Sequence, residues 1–264
     1  MRKVRIFRCS AALAAVAILV VLLSAGAANA TRVVAGNLVL DFGFGFAPHA
    51  LPKTHDAPIT VSGHEAVRTR DGTVPPPATH LTFEFNRHGH LETRGLPTCT
   101  LARLRATSTE RARELCAGAL VGHGTAAAVV AFPDQAPFEA STQTLFFNGP
   151  REGGDPTLLV HAYLGVPVPT TYVDSFRIER IHKGSLGYRV DGDLARIAGG
   201  YGSLTSIRFK LGRRWSFGGE RLSYIGARCP SSSTPQLLGR GLTEYADGTT
   251  LRGSFFGSCQ IRPG

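Results

Sequence analysis

Leu81-Thr82-Phe83-Glu84-Phe85-Asn86 places bulky apolar side chains two residues apart, with polar ones between them. A period of two is that of a strand with one buried and one wet face, whereas a helix would need its apolar residues three and four apart. Just before this stretch, Pro75-Pro76-Pro77 cannot donate ladder hydrogen bonds and marks a connection. Just after it, Arg87-His88-Gly89-His90 reads as a turn into another short strand. Further outward the same grammar repeats. A strand begins at 59–62, and others are expected at 126–132, 144–147, 157–164, 175–181, 186–190, 206–211, 221–227, 241–245 and 250–256. Asn148-Gly149-Pro150, Asp191-Gly192-Asp193 and Asp247-Gly248 supply turns, the last inside a hairpin signal over 245–250. One helix is predicted over 108–117, where Thr107 and Glu110 form a capping-box pattern and Gly118 can end it. The fold class is therefore all-β, a β-sandwich-like domain or an irregular barrel, with one short helix.

The N-terminus has a different grammar. Arg2, Lys3, Arg5 and Arg8 precede an unbroken apolar run over 11–23, and small residues lead to Ala28-Asn29-Ala30. This is the pattern of a secretory signal peptide over 1–30, with Thr31 as the first mature residue. The run is short for a membrane span, and no later stretch is long and apolar enough to be one. Residues 31–264 are read as a single mostly-β secreted domain, and a two-lobed arrangement split near 148 stays open. The chain carries a formal net charge of +10, four of it in the leader. The remaining surplus forms no dense run, so nucleic acid is not expected as a partner. An anionic envelope glycan or another envelope protein fits better.

Cys99, Cys116, Cys229 and Cys259 remain in the mature chain. An even count in an exported chain argues for disulfides, and the sequential pairing Cys99–Cys116 and Cys229–Cys259 closes two short loops. A zinc site is the competing reading, but no C-x-x-C pair is present.

Few residues suggest chemistry. His88 and His90 would share a face in a strand, and a hairpin could bring His80 near them, so these three are the metal candidates. No G-x-S-x-G elbow is present. Gly122-His123-Gly124-Thr125-Ala126-Ala127 fits a dinucleotide fingerprint only formally, because a strand rather than a helix is expected after it, and no cofactor is expected. Glu84, Glu139, Glu179 and Glu244 are acids that a glycosidase could use, with no spacing that singles out a pair. Arg208 and Lys210 alternate with Ile207, Phe209 and Leu211, as on the solvent face of a strand. Trp215, the sole tryptophan, is expected in the core or against a disulfide, or else as a sugar platform.

Two clusters resemble a family. One is Gly95-Leu96-Pro97-Thr98-Cys99 with Cys116 and the run 119–126; the other joins 202–206, Tyr224-Ile225-Gly226-Ala227-Arg228-Cys229-Pro230, 245–249 and Cys259. Together they resemble a group of exported actinobacterial proteins of unknown function, although some members have Cys-Pro where this chain has Cys116-Ala117. The resemblance implies export and the cysteine positions, and no activity. The expectation is thus a non-catalytic secreted or envelope-associated binding or structural protein. A carbohydrate-active enzyme with an unrecognised carboxylate pair and a histidine-based metal binder are the alternatives.

Overall fold

The computed structural model describes residues 31–232 and 235–262; the leader read over 1–30 lies outside the described residues. Its strands, in chain order, are β1 (Thr31–Ala35), β2 (Leu38–Ala47), β3 (Ala50–Leu51), β4 (Ala57–Pro58), β5 (Thr60–Thr69), β6 (Ala78–Asn86) and β7 (Gly89–Leu91). They continue as β8 (Leu120–Val130), β9 (Phe138–Asn148), β10 (Thr157–Leu164), β11 (Thr170–Lys183), β12 (Leu186–Asp193), β13 (Gly202–Leu211) and β14 (Arg214–Phe217). The last are β15 (Glu220–Ser223), β16 (Ile225–Ala227), β17 (Gln236–Tyr245), β18 (Thr250–Gly257) and β19 (Gln260–Ile261). Two short helices, α1 (Leu101–Leu104) and α2 (Thr109–Leu115), lie between β7 and β8.

Twelve strands form one sheet in the order β1-β2-β5-β13-β8-β9-β10-β11-β12-β6-β17-β18. Every neighbouring pair in it is antiparallel. β18 comes round against β1, so the sheet is a nearly closed barrel rather than two packed layers. Closure hides the strand edges that an open sheet would expose. Strands from both halves of the sequence interleave around it.

The alternation of side chains sorts the barrel into an inside and an outside. Phe42 and Phe44 of β2, Phe83 and Phe85 of β6, Phe209 of β13 and Phe255 of β18 point inward. The Phe44 ring lies 4.7 Å from Phe255 and 5.3 Å from Phe85, centroid to centroid. Glycines on other strands make room for these rings. A Cβ at Gly253 would sit 2.1 Å from the Phe42 ring, and one at Gly63 would sit 2.5 Å from that of Phe209.

Outside, the segment 99–119 packs over β9 and β10. Leu104, Ala112 and Ala119 lie on Leu145, Phe147 and Leu159, and the Cys99–Cys116 disulfide ties the two ends of this cap together. The helix signal is displaced by one residue from the sequence reading. Ser108, not Thr107, caps α2 by accepting from the Arg111 N–H, while the Thr107 hydroxyl donates to the Leu104 carbonyl of an additional helix, α1. There are therefore two short helices where one was predicted.

A plug closes one end of the barrel. β4, β16 and β7 form a small sheet, the β14–β15 hairpin stands beside it, and Cys229–Cys259 staples the chain where β3 and β19 pair in parallel. The opposite end carries the links 70–77, 194–201 and 246–249, where the Leu194 N–H donates to the Thr79 carbonyl of β6 and the Ala246 N–H to the Pro77 carbonyl. Asp191-Gly192-Asp193 is not the predicted turn; it lies in β12. Its glycine admits Phe176, since a Cβ there would lie 2.8 Å from that ring, and its acids face outward.

Candidate ligand chamber inside the barrel

Inward-facing side chains leave a chamber of about 360 Å3 in the barrel. This is the lower end of the size range of small-molecule sites. Its wall is aromatic and aliphatic, drawn from every barrel strand between β2 and β18 that carries the phenylalanines above, together with Ile178, Val190, Ile207 and Leu211. Small residues keep it open: Ala126 and Ala162 point inward yet retain accessible surface, because they border the void rather than another side chain.

Two carboxyl groups face this apolar space. Glu65 lies in the inward row of β5, between Phe42 on β2 and Ile207 on β13. It is shielded from bulk water, and the surface it retains is chamber wall. Burial pushes its pKa up to about 7, and the nearby Thr243 hydroxyl only partly offsets this. Asp174 lies in the inward row of β11 and accepts from the Ala195 N–H at 2.8 Å. Burial pushes it up to about 6 against that hydrogen bond. Without a cation beside them, desolvation dominates both groups. Two buried hydroxyls also line the chamber with no protein partner, Thr144 Oγ1 and Tyr224 Oη. Groups of this kind are rarely left unpaired in a protein interior.

Of the histidines and acids singled out from sequence, His88 and His90 reach the chamber wall from the plug, and His80, Glu84, Glu139, Glu179 and Glu244 lie elsewhere. His80 lies near the start of β6 on the outer face, bonding Asp193 at 2.7 Å and Asp191 at 3.2 Å. Burial lowers its pKa, but the two aspartates outweigh that and leave it raised. His88 and His90 sit at the far end of β6 and in the plug, where His90 pairs with Gly226. Six residues of extended strand, about 20 Å, separate His80 from the strand end beside His88. The structure therefore does not bring the three histidines together, and no group of three or more His, Cys, Asp or Glu suited to a metal occurs among the described residues.

Glu84 is on the outward row, as its alternation predicts, but it is buried rather than wet. The Arg189 guanidinium donates to it at 3.0 Å, and Arg240 donates to its other oxygen. Burial raises its pKa, and the two arginines more than reverse this. Glu139, Glu179 and Glu244 are also on the outer face, and Glu179 pairs with Arg177. Trp215 packs in the plug cluster, and its indole N–H donates to the Arg94 carbonyl at 2.9 Å. The cysteines pair as Cys99–Cys116 and Cys229–Cys259.

Sequence reasoning passed over Glu65 and Asp174. Their signal was the period of two itself: Val61, Gly63, Glu65 and Val67 form one row, and Tyr172, Asp174, Phe176 and Ile178 another.

Compared with known protein families, curated proteins and solved structures, the chain has no match.

Proposed function

We propose that this chain is an exported, non-catalytic binding protein whose barrel interior takes a small, largely apolar ligand. The observation that carries the reading is the chamber of about 360 Å3, walled by Phe, Leu, Ile and Val and kept open by Ala126 and Ala162. A packed core of this composition would gain dispersion and hydrophobic free energy by closing on itself, so side chains that leave a void favour an occupant. Export is supported by the leader pattern over 1–30, by the family resemblance and by the two disulfides, which suit an oxidising compartment. Basic side chains on the outer sheet face, Arg208 and Lys210 among them, suit residence near anionic envelope glycans. The carbohydrate-active alternative draws less from this site, because a sugar needs many hydrogen-bonding partners and the wall is mostly hydrocarbon.

The test is a fluorescence titration of the disulfide-intact protein with Nile red, a neutral apolar dye. Saturable binding of one dye per chain is expected. Ala126→Phe and Ala162→Phe, which fill the void, should each weaken it by about tenfold or more, with unchanged far-UV circular dichroism. Absence of binding, or equal binding by correctly folded filled variants, would contradict the proposal.

A further inference from the structure

The chamber is apolar but not uniformly so, and away from the plug the charged side chains that face it are both acids. Glu65 and Asp174 reach it from β5 and β11, strands separated in the sheet by β13, β8, β9 and β10. Both lie toward the end opposite the plug. Asp174 is held by Ala195 in the 194–201 link, and Glu65 stands near Thr243 and Tyr245, close to the 246–249 turn. Around Glu65 the facing groups are Phe42 from β2, Ile207 from β13, and the Thr243 and Tyr245 hydroxyls from β17. The Tyr245 hydroxyl is buried and has no protein partner. Among the described residues no cation stands against Glu65. His64, its neighbour in β5, belongs to the alternate row, while His88, His90 and Arg228 approach the lining from the plug, where Arg228 is engaged by Asp56.

We infer that the chamber selects an apolar molecule bearing a protonated amine, whose ammonium group is received by Glu65 beside the Tyr245 and Thr243 hydroxyls. A carboxylate buried without a cation is costly, and an ammonium hydrogen-bonded to it removes that cost. An anionic ligand would meet like charge, and a neutral one would leave the ionised carboxylate as it is. This inference rests on the barrel interior being a binding site at all.

The experiment is displacement of Nile red at pH 8 by three ligands of equal chain length: decylamine, decanol and decanoate. An alkylamine, with a pKa of about 10 like that of lysine, is protonated there. The expected order is amine first, at a concentration at least about tenfold below the alcohol, with the carboxylate weakest. Glu65→Gln, with its own Nile red affinity measured first, should lose the advantage of the amine over the alcohol. Amine and alcohol displacing equally from the unaltered protein would overturn the inference while leaving the chamber as a binding site. So would a preference for decanoate, or an amine preference that survives in folded Glu65→Gln. If neither Nile red nor any of the three binds, the binding-site reading and this inference both fail.

Discussion

Glu84 and Glu65 are both glutamates in the middle of barrel strands, both withdrawn from water, and they face opposite sides of the same sheet. Outside, Glu84 is gripped by Arg189 and Arg240, and its carboxyl is held below the ordinary range. Inside, Glu65 has a hydroxyl beside it and no base, and its carboxyl is pushed up to about 7. The contrast shows how a barrel assigns roles to chemically identical residues. On the outer face, long arginines from neighbouring strands can lie over a carboxylate and still keep part of themselves in water, so the pair is satisfied. On the inner face an arginine would have to be buried as well, and the carboxyl has only a hydroxyl beside it.

The sharpest way to break this comparison is through stability against pH. Glu65 binds its proton more tightly in the folded chain than in the unfolded one, so between about pH 4.5 and 7 the native state holds more protons and stability falls as pH rises. The shift corresponds to about 3 kcal/mol. Urea unfolding of Glu65→Gln should therefore show a protein about 3 kcal/mol more stable than the parent at pH 8 and nearly equal to it at pH 4. Part of the slope should survive in that variant, because Asp174 titrates in the same sense near pH 6. Equal stability of the two proteins at pH 8 would mean that Glu65 is solvated.

Glu84 should give a smaller effect of opposite sign. Its folded pKa is depressed, so its contribution is present at neutral pH and is lost as pH falls through that depressed value. Glu84→Gln should destabilise the chain by about 1–3 kcal/mol at pH 7, below the cost of breaking a fully buried pair because Arg189 and Arg240 remain partly exposed. The same unfolding series should show that difference shrinking in acid. A stabilised Glu84→Gln at pH 7 would erase the distinction between the two faces.

Much of the architecture could be read from the chain because inside and outside alternate. The row Leu81, Phe83, Phe85 and the row Ile207, Phe209, Leu211 both point inward, and Arg208 and Lys210 point to solvent. The hairpin over 245–250 turns at Asp247-Gly248, with Gly248 at a positive φ of 84°. What misled was glycine whose purpose is space. Asp191-Gly192-Asp193 has the composition of a turn, yet Gly192 is in a strand because Phe176 occupies the room its side chain would take. The choice between sandwich and barrel depends on β18 meeting β1, a contact between strands far apart in the sequence that no local pattern encodes. The chamber acids were hidden for a related reason. Asp174 lies in the first half of a long strand whose sequence signal starts only at Ser175, and Glu65 follows Gly63 and His64, which interrupt an apolar run. A carboxylate in an inward row reads as an error of patterning until the space it faces is known.

The account stands most directly on the ionisation of Glu65 with and without a ligand, followed by carbon-13 NMR titration of the side-chain carboxyls with Glu84 as internal comparison. In the free protein Glu65 should titrate near pH 7 and Glu84 below the ordinary glutamate range. Saturation with decylamine should lower the Glu65 midpoint by at least about one pH unit, the equivalent of a tenfold preference for the ionised form, and leave that of Glu84 in place. A Glu65 midpoint that begins at an ordinary glutamate value, or one that decylamine does not move, would contradict the account.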